Sequence, residues 1–77
     1  MSATYTVMKM MDNKMPRVMA EAYSADDAWH QVKQYHLMPY PENEFLKTCR
    51  LAREEARTSA TAVHRMAKTK WYVQVDL

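Results

Sequence analysis

A chain of 77 residues supports one domain with one core, since a chain of this size buries only about 60–65% of the surface it exposes when unfolded. It contains no glycine, where average usage of about 7% gives roughly five; this excludes phosphate-cradling loops, dinucleotide fingerprints and nucleophile elbows, which need glycine where the backbone takes positive φ or approaches a ligand closely. One cysteine excludes an internal disulfide, and the net charge of +2 conceals an asymmetry: residues 1–40 carry four basic and four acidic side chains, whereas residues 47–70 carry seven basic ones against Glu54 and Glu55 alone.

Residues 4–11 and 17–23 are rich in Tyr, Val, Thr and Met and read as two strands, with Asp12, Asn13 and Lys14 as turn material between them. They predict a β-hairpin. Pro16 cannot donate to a ladder, so pairing is expected to begin just after it. In the second strand Val18, Ala20 and Ala22 share one face and Arg17, Met19, Glu21 and Tyr23 the other, and the first set is the expected core side. The inward face of the first strand is not legible.

Ser24 is a good N-cap, with Asp26 and Asp27 in the first turn where negative charge complements exposed N–H groups. Ala25, Ala28, Trp29, Val32 and Tyr35 recur at helical spacing, predicting a helix that ends near His36. Leu37-Met38-Pro39-Tyr40-Pro41 then reads as a stiff connector, because two prolines fix φ and bias the preceding residues away from helix.

Residues 42–68 carry a second helical signal. Phe45, Ala52, Ala56, Val63 and Ala67 fall on one side at about 100° per residue, and Lys47, Arg50, Arg53, Arg57, His64, Arg65 and Lys68 gather opposite. A continuous helix here would be about 40 Å long and would outrun the sheet, so it must project or break. Thr58-Ser59 is the expected break, and the β-leaning residues 58–63 leave a strand open as the alternative. Residues 70–76 alternate Trp71, Val73 and Val75 against Tyr72, Gln74 and Asp76, a half-buried strand. The expected fold is α+β in the order β-β-α-α-β: a small antiparallel sheet with two helices on one face, Trp29 and Trp71 both in the core.

Little here suits catalysis. His30 and His36 are six residues apart on one helix and cannot chelate as an i, i+4 pair would, and one cysteine makes no zinc pattern. Cys49 sits near the apolar side of its helix, where a small buried residue is the ordinary explanation. Asp26-Asp27 and Glu54-Glu55 point about 100° apart on helices and do not converge. No metal, nucleotide or other cofactor is expected, and the chain is read as a non-enzyme.

The basic stripe of Lys47, Arg50, Arg53, Arg57, Arg65 and Lys68 is the first candidate partner surface, because clustered cations attract phosphates or an acidic protein surface. Against it stands a plain solvated helix face, with Glu54 within reach of Arg50 and Arg57. A pI of 8.8 is low for a nucleic-acid-binding domain, and aromatic interleaving is missing. The second candidate is the methionine cluster Met8, Met10, Met11, Met15 and Met19, adaptable contact material on a hairpin; at least one of Met10 and Met11 must face outward unless a bulge intervenes. The third is Tyr40, held between prolines as a rigid amphipathic contact.

In format, a glycine-free chain of under eighty residues with a hairpin, a Ser-Ala-Asp-Asp-Ala helix start and no cofactor motif resembles small phage-encoded accessory proteins, including anti-CRISPR-like inhibitors of host defence. That resemblance implies an inhibitor occupying a nucleic-acid-binding surface or subunit interface on a larger host protein or nucleoprotein complex, in the host cytoplasm. The sequence's own reading is an interaction module, with a small nucleic-acid-binding protein as the alternative. Self-association is open. No segment has the roughly 18 apolar residues of a membrane span, and the start lacks a secretory pattern, so a cytoplasmic protein is expected.

Overall fold

The computed structural model describes residues 3–12, 14–35 and 41–77. The elements run β1 (Thr4–Lys9), β2 (Arg17–Ala22), α1 (Ala25–Tyr35), α2 (Glu42–Ser59), β3 (Thr61–Arg65) and β4 (Trp71–Asp76). The fold is α+β: one antiparallel sheet in the order β2-β1-β4-β3, with both helices packed on one side of it. Extents of 30 × 26 × 19 Å leave depth for one sheet and one helix layer, and among the described residues nothing covers the other face of the sheet.

Hydrophobic alternation decides which sheet face meets the helices. Tyr5 and Val7 of β1, Trp71, Val73 and Val75 of β4, Ala62 of β3, and Ala20 and Ala22 of β2 are buried with Ala28 and Val32 of α1 and Phe45, Cys49, Ala52 and Ala56 of α2. The last four are spaced to keep one helical face on the sheet. The expected inward alternation of β4 holds, as does the core place of Trp71, whose ring lies 5.7 Å from Lys9 Nζ. Trp29 is only partly buried at the core margin, its ring centroid 5.2 Å from that of Phe45. Tyr35, expected on the same apolar stripe, ends α1 at 69% exposed.

Local chemistry sets the helix ends. Ser24 caps α1 as its composition predicts: Asp27 N–H donates to Ser24 Oγ at 3.1 Å, one of the orphan donors of a helix start. The connector expectation for residues 37–40 lies outside the described residues, as does that for Asn13. Pro41, the last residue of the connector, begins α2 in extended conformation, with its carbonyl accepting from Glu44 and Phe45.

Two further expectations are corrected. In β2, Val7 pairs with Ala20 but Met8 pairs with Val18, so Met19 is an extra residue in the ladder. This β-bulge reverses the alternation beyond it. Met19 turns to the core, and Val18, expected inward, is 55% exposed.

The second correction is larger: α2 stops at Ser59, and the strand alternative for the following residues is what the chain adopts, giving β-β-α-α-β-β. The hydroxyls of Thr58 and Ser59 do not cap a new helix. Both donate to the Glu55 carbonyl at 3.0 Å, and Ala60 N–H reaches the Ala56 carbonyl at 2.7 Å, closing the helix. Val63 and Ala67, placed on the helical apolar side by phase, are exposed, and Ala62 and Met66 are the buried residues instead. Among the described residues no helix is long and apolar enough to cross a membrane.

Candidate functional site

The six-cation stripe depends on one helix, and the break at Ala60 divides it. Lys47, Arg50, Arg53 and Arg57 remain on α2, all exposed. Arg50, Arg53 and Arg57, at i, i+3 and i+7, share a helix side. Arg65 lies instead on β3, pointing to the uncovered sheet face, and Lys68 is in the β3–β4 turn at φ 62°. The structure therefore assembles a guanidinium row of three with Lys47 beside it. His64, also counted on the stripe, faces the helix layer and hydrogen-bonds through Nε2 to Glu55 Oε2.

Within that row Arg57 has a partner, Glu54, at 3.6 Å, an exposed i, i+3 pair worth at most a few tenths of a kcal/mol. Arg50 and Arg53 make no ion pair among the described residues. Arg53 borders a polar cleft of about 390 Å³ formed where α2 passes the start of α1, lined also by Tyr5, Tyr23, Ser24 and Asp26. Tyr23 stands 75% exposed on its rim. A guanidinium, a phenol and a carboxylate side by side form a mixed-charge surface, not a uniformly positive one.

The hairpin methionines are divided: Met19 turns to the core, and Met8 and Met10 lie on the sheet face away from the helices. Met8 and Met10 join Pro16, Val63 and Tyr72 around an apolar hollow of about 240 Å³ on the uncovered sheet face. Met10 and Met11 are 40% and 37% exposed, so both face solvent in part, and Met15 is 84% exposed. Val63 and Tyr72 escaped the sequence reading because β3 was phased as helix and Tyr72 counted only as the polar side of β4. Tyr40, the connector candidate, lies outside the described residues.

Cys49 does not belong to a site. It is 1% exposed, and burial first, then the negative charge of Asp26, pushes its thiol up to about 12, far from a nucleophile's range. Asp12 is held below the usual carboxylate range by a hydrogen bond from Lys70 and by that ammonium's charge; the pair ties together the β1–β2 and β3–β4 turns. Among the described residues no group of three His, Cys, Asp or Glu side chains could hold a metal ion. Comparison with known proteins finds no family model, no curated protein and no solved structure that matches the chain.

Proposed function

We propose that this chain is an interaction module, acting by binding and not by catalysis, that docks on an acidic surface of a larger protein or nucleoprotein complex through α2. One observation carries this reading: Arg50, Arg53 and Arg57 stand in a row on one exposed helix side with a single weak ion pair among them. Unneutralised guanidiniums on a rigid helix are pre-organised for bidentate bonds to carboxylates. Tyr23 at the edge of the same cleft supplies an exposed aromatic contact of the kind that anchors interfaces. The role that fits is an inhibitor or regulator, in line with the format of small phage-encoded accessory proteins, working in the host cytoplasm.

Nucleic acid is the weaker occupant of the row, because a pI of 8.8 is low for a nucleic-acid-binding domain and no aromatic side chain interleaves Arg50, Arg53 and Arg57 on which a base could stack. Capture from lysate at low and high salt, with and without nuclease, separates the two. The expected result for the wild type is a salt-sensitive, nuclease-resistant complex that R50Q/R53Q/R57Q loses while its circular dichroism is unchanged. Capture abolished by nuclease would transfer the row to phosphate binding, where each lost contact lowers the slope of log affinity against log salt by about 0.9 on duplex DNA.

A further inference from the structure

The two edges of the sheet are finished differently. On β2, the outer backbone groups of Glu21 are occupied by one side chain: Glu21 N–H donates to Gln31 Oε1 at 3.2 Å, and Gln31 Nε2 donates to the Glu21 carbonyl at 3.1 Å. The amide of Gln31 thus takes the place of a neighbouring strand. On β3, among the described residues, no side chain occupies both the outward N–H and the outward carbonyl of a residue. Met66 N–H donates to Trp71 O and Leu77 N–H to Ala60 O, so even-numbered positions turn their backbone groups toward β4. By the alternation of an antiparallel ladder, Thr61, Val63 and Arg65 turn theirs outward. Of these outward groups the Thr61 carbonyl accepts from Ser59 Oγ at 2.9 Å, and those of Val63 and Arg65 have no hydrogen bond among the described residues. An exposed row of this kind is a template for another strand.

We propose that the β3 edge pairs with β3 of a second copy of this chain, antiparallel about a two-fold axis at Val63, joining two four-stranded sheets into one of eight. Three features favour this occupant over an unrelated strand. First, the edge is self-complementary: centred on Val63, every outward residue meets an outward residue, Val63 its own mate and Thr61 the mate's Arg65. An axis at Ala62 or His64 would leave part of the row unpaired.

Second, the charges match. Arg65 makes no ion pair within the chain among the described residues, and in the pair it lies across Thr61 from the mate's Asp76. Two strand spacings of about 4.8 Å separate their backbones, within the joint reach of the two side chains. Asp76 is held ready for it, accepting from Thr61 Oγ1 at 2.7 Å and from Gln74 Nε2 at 3.0 Å.

Third, Val63 is 49% exposed on the uncovered face and borders the Met8-Tyr72 hollow, so pairing would set the two hollows side by side in one apolar strip. Pairing across five residues buries less than the roughly 1,200 Å² of a standard interface and belongs to the weak, transient class. This edge is separate from the α2 row, and either surface can fail its test without the other.

Sedimentation equilibrium of the full chain from micromolar to high micromolar concentration is the test, with the apparent mass expected to climb from 9.1 kDa toward twice that value. Val63→Pro removes an outward N–H and no bond to β4, so the fold should persist by circular dichroism while association disappears. If that variant does not fold, Arg65→Glu serves in its place: facing Asp76 of the mate, it should weaken association by about tenfold, and Arg65→Glu with Asp76→Arg should restore it. A wild type that stays at 9.1 kDa throughout, or a folded V63P or R65E that associates like the wild type, overturns the proposal.

Discussion

Ala60 sits at φ 69°, ψ −34°, where the Cβ of an L-residue crowds the neighbouring carbonyl at a cost of about 1–2 kcal/mol. Glycine, which the chain lacks, would sit at this joint without that cost, and the Ala56 carbonyl and Leu77 N–H, both bonded to Ala60, hold the alanine there. Ala60→Gly removes the crowding but adds freedom to the unfolded chain worth about 0.4–1 kcal/mol. A net gain of about 0.5–1 kcal/mol, seen as a melting temperature a few degrees higher, is the expected outcome; a lower melting temperature would count against strain at this position. Cys49 makes a pH-dependent prediction. Its folded-state value of about 12 lies above the ordinary 9.0, so the unfolded chain gives up the proton first as pH rises. Its contribution is therefore intact below pH 9 and is lost between pH 9 and about 12, at up to about 1.4 kcal/mol per pH unit. Urea melts between those limits should show a steeper alkaline fall for the wild type than for Cys49→Ala.

The paired caps on α1 and β2 divide two kinds of stabilisation at the level of the element. Ser24→Ala removes the hydroxyl that receives Asp27 N–H and should cost about 1 kcal/mol with no change in association. Gln31→Ala removes two hydrogen bonds, costing about 1–2 kcal/mol, and also bares the β2 edge; static light scattering should rise with concentration more steeply than the wild type's for this variant and match the wild type's for S24A. Elements with a single dominant signal were readable from the sequence. Ser24 followed by Asp26 and Asp27 marks the α1 start, and the clean alternation of Trp71, Val73 and Val75 marks β4 and its face. β3 is legible only as an alternative, from the β-leaning residues 58–63, because its inward residues Ala62 and His64 and its outward residues Thr61, Val63 and Arg65 each mix polar with apolar, leaving no period of two to detect. Val63 and Ala67 meanwhile continued the helical phase by coincidence. The same misplacement merged Arg65 and Lys68 into the α2 row, which is why only the part on Lys47, Arg50, Arg53 and Arg57 was legible as one surface. The bulge at Met19 was invisible for a related reason: it is a property of the pairing between β1 and β2, and no residue type in either strand announces it.

Within the sheet, the two hairpins β1-β2 and β3-β4 meet where β1 pairs with β4, whose residues are the most distant in the chain: Thr4 pairs with Asp76 and Lys9 with Trp71. Trp71, 3% exposed at the end of that seam, is the large side chain holding it, and Trp71→Ala should cost about 3–5 kcal/mol. That is a large share of the roughly 4–12 kcal/mol expected for a domain of this size. Loss of cooperative melting at room temperature is the expected result, and a sharp transition within a few degrees of the wild type would contradict the seam's role.

The adjacency of Thr4 and Asp76 also sets how the domain responds to force. A pull applied to the two ends of the chain acts across β1 and β4, at right angles to the strands, and loads their hydrogen bonds one at a time from that end, as a zipper is opened. Strands pulled along their length would share the load over the whole ladder. A motor that threads the chain from either end should therefore unravel it with little resistance, and optical-tweezers traces should show a lower rupture force for end-to-end pulling than for handles placed at Lys9 and Asp76, which shear the same two strands.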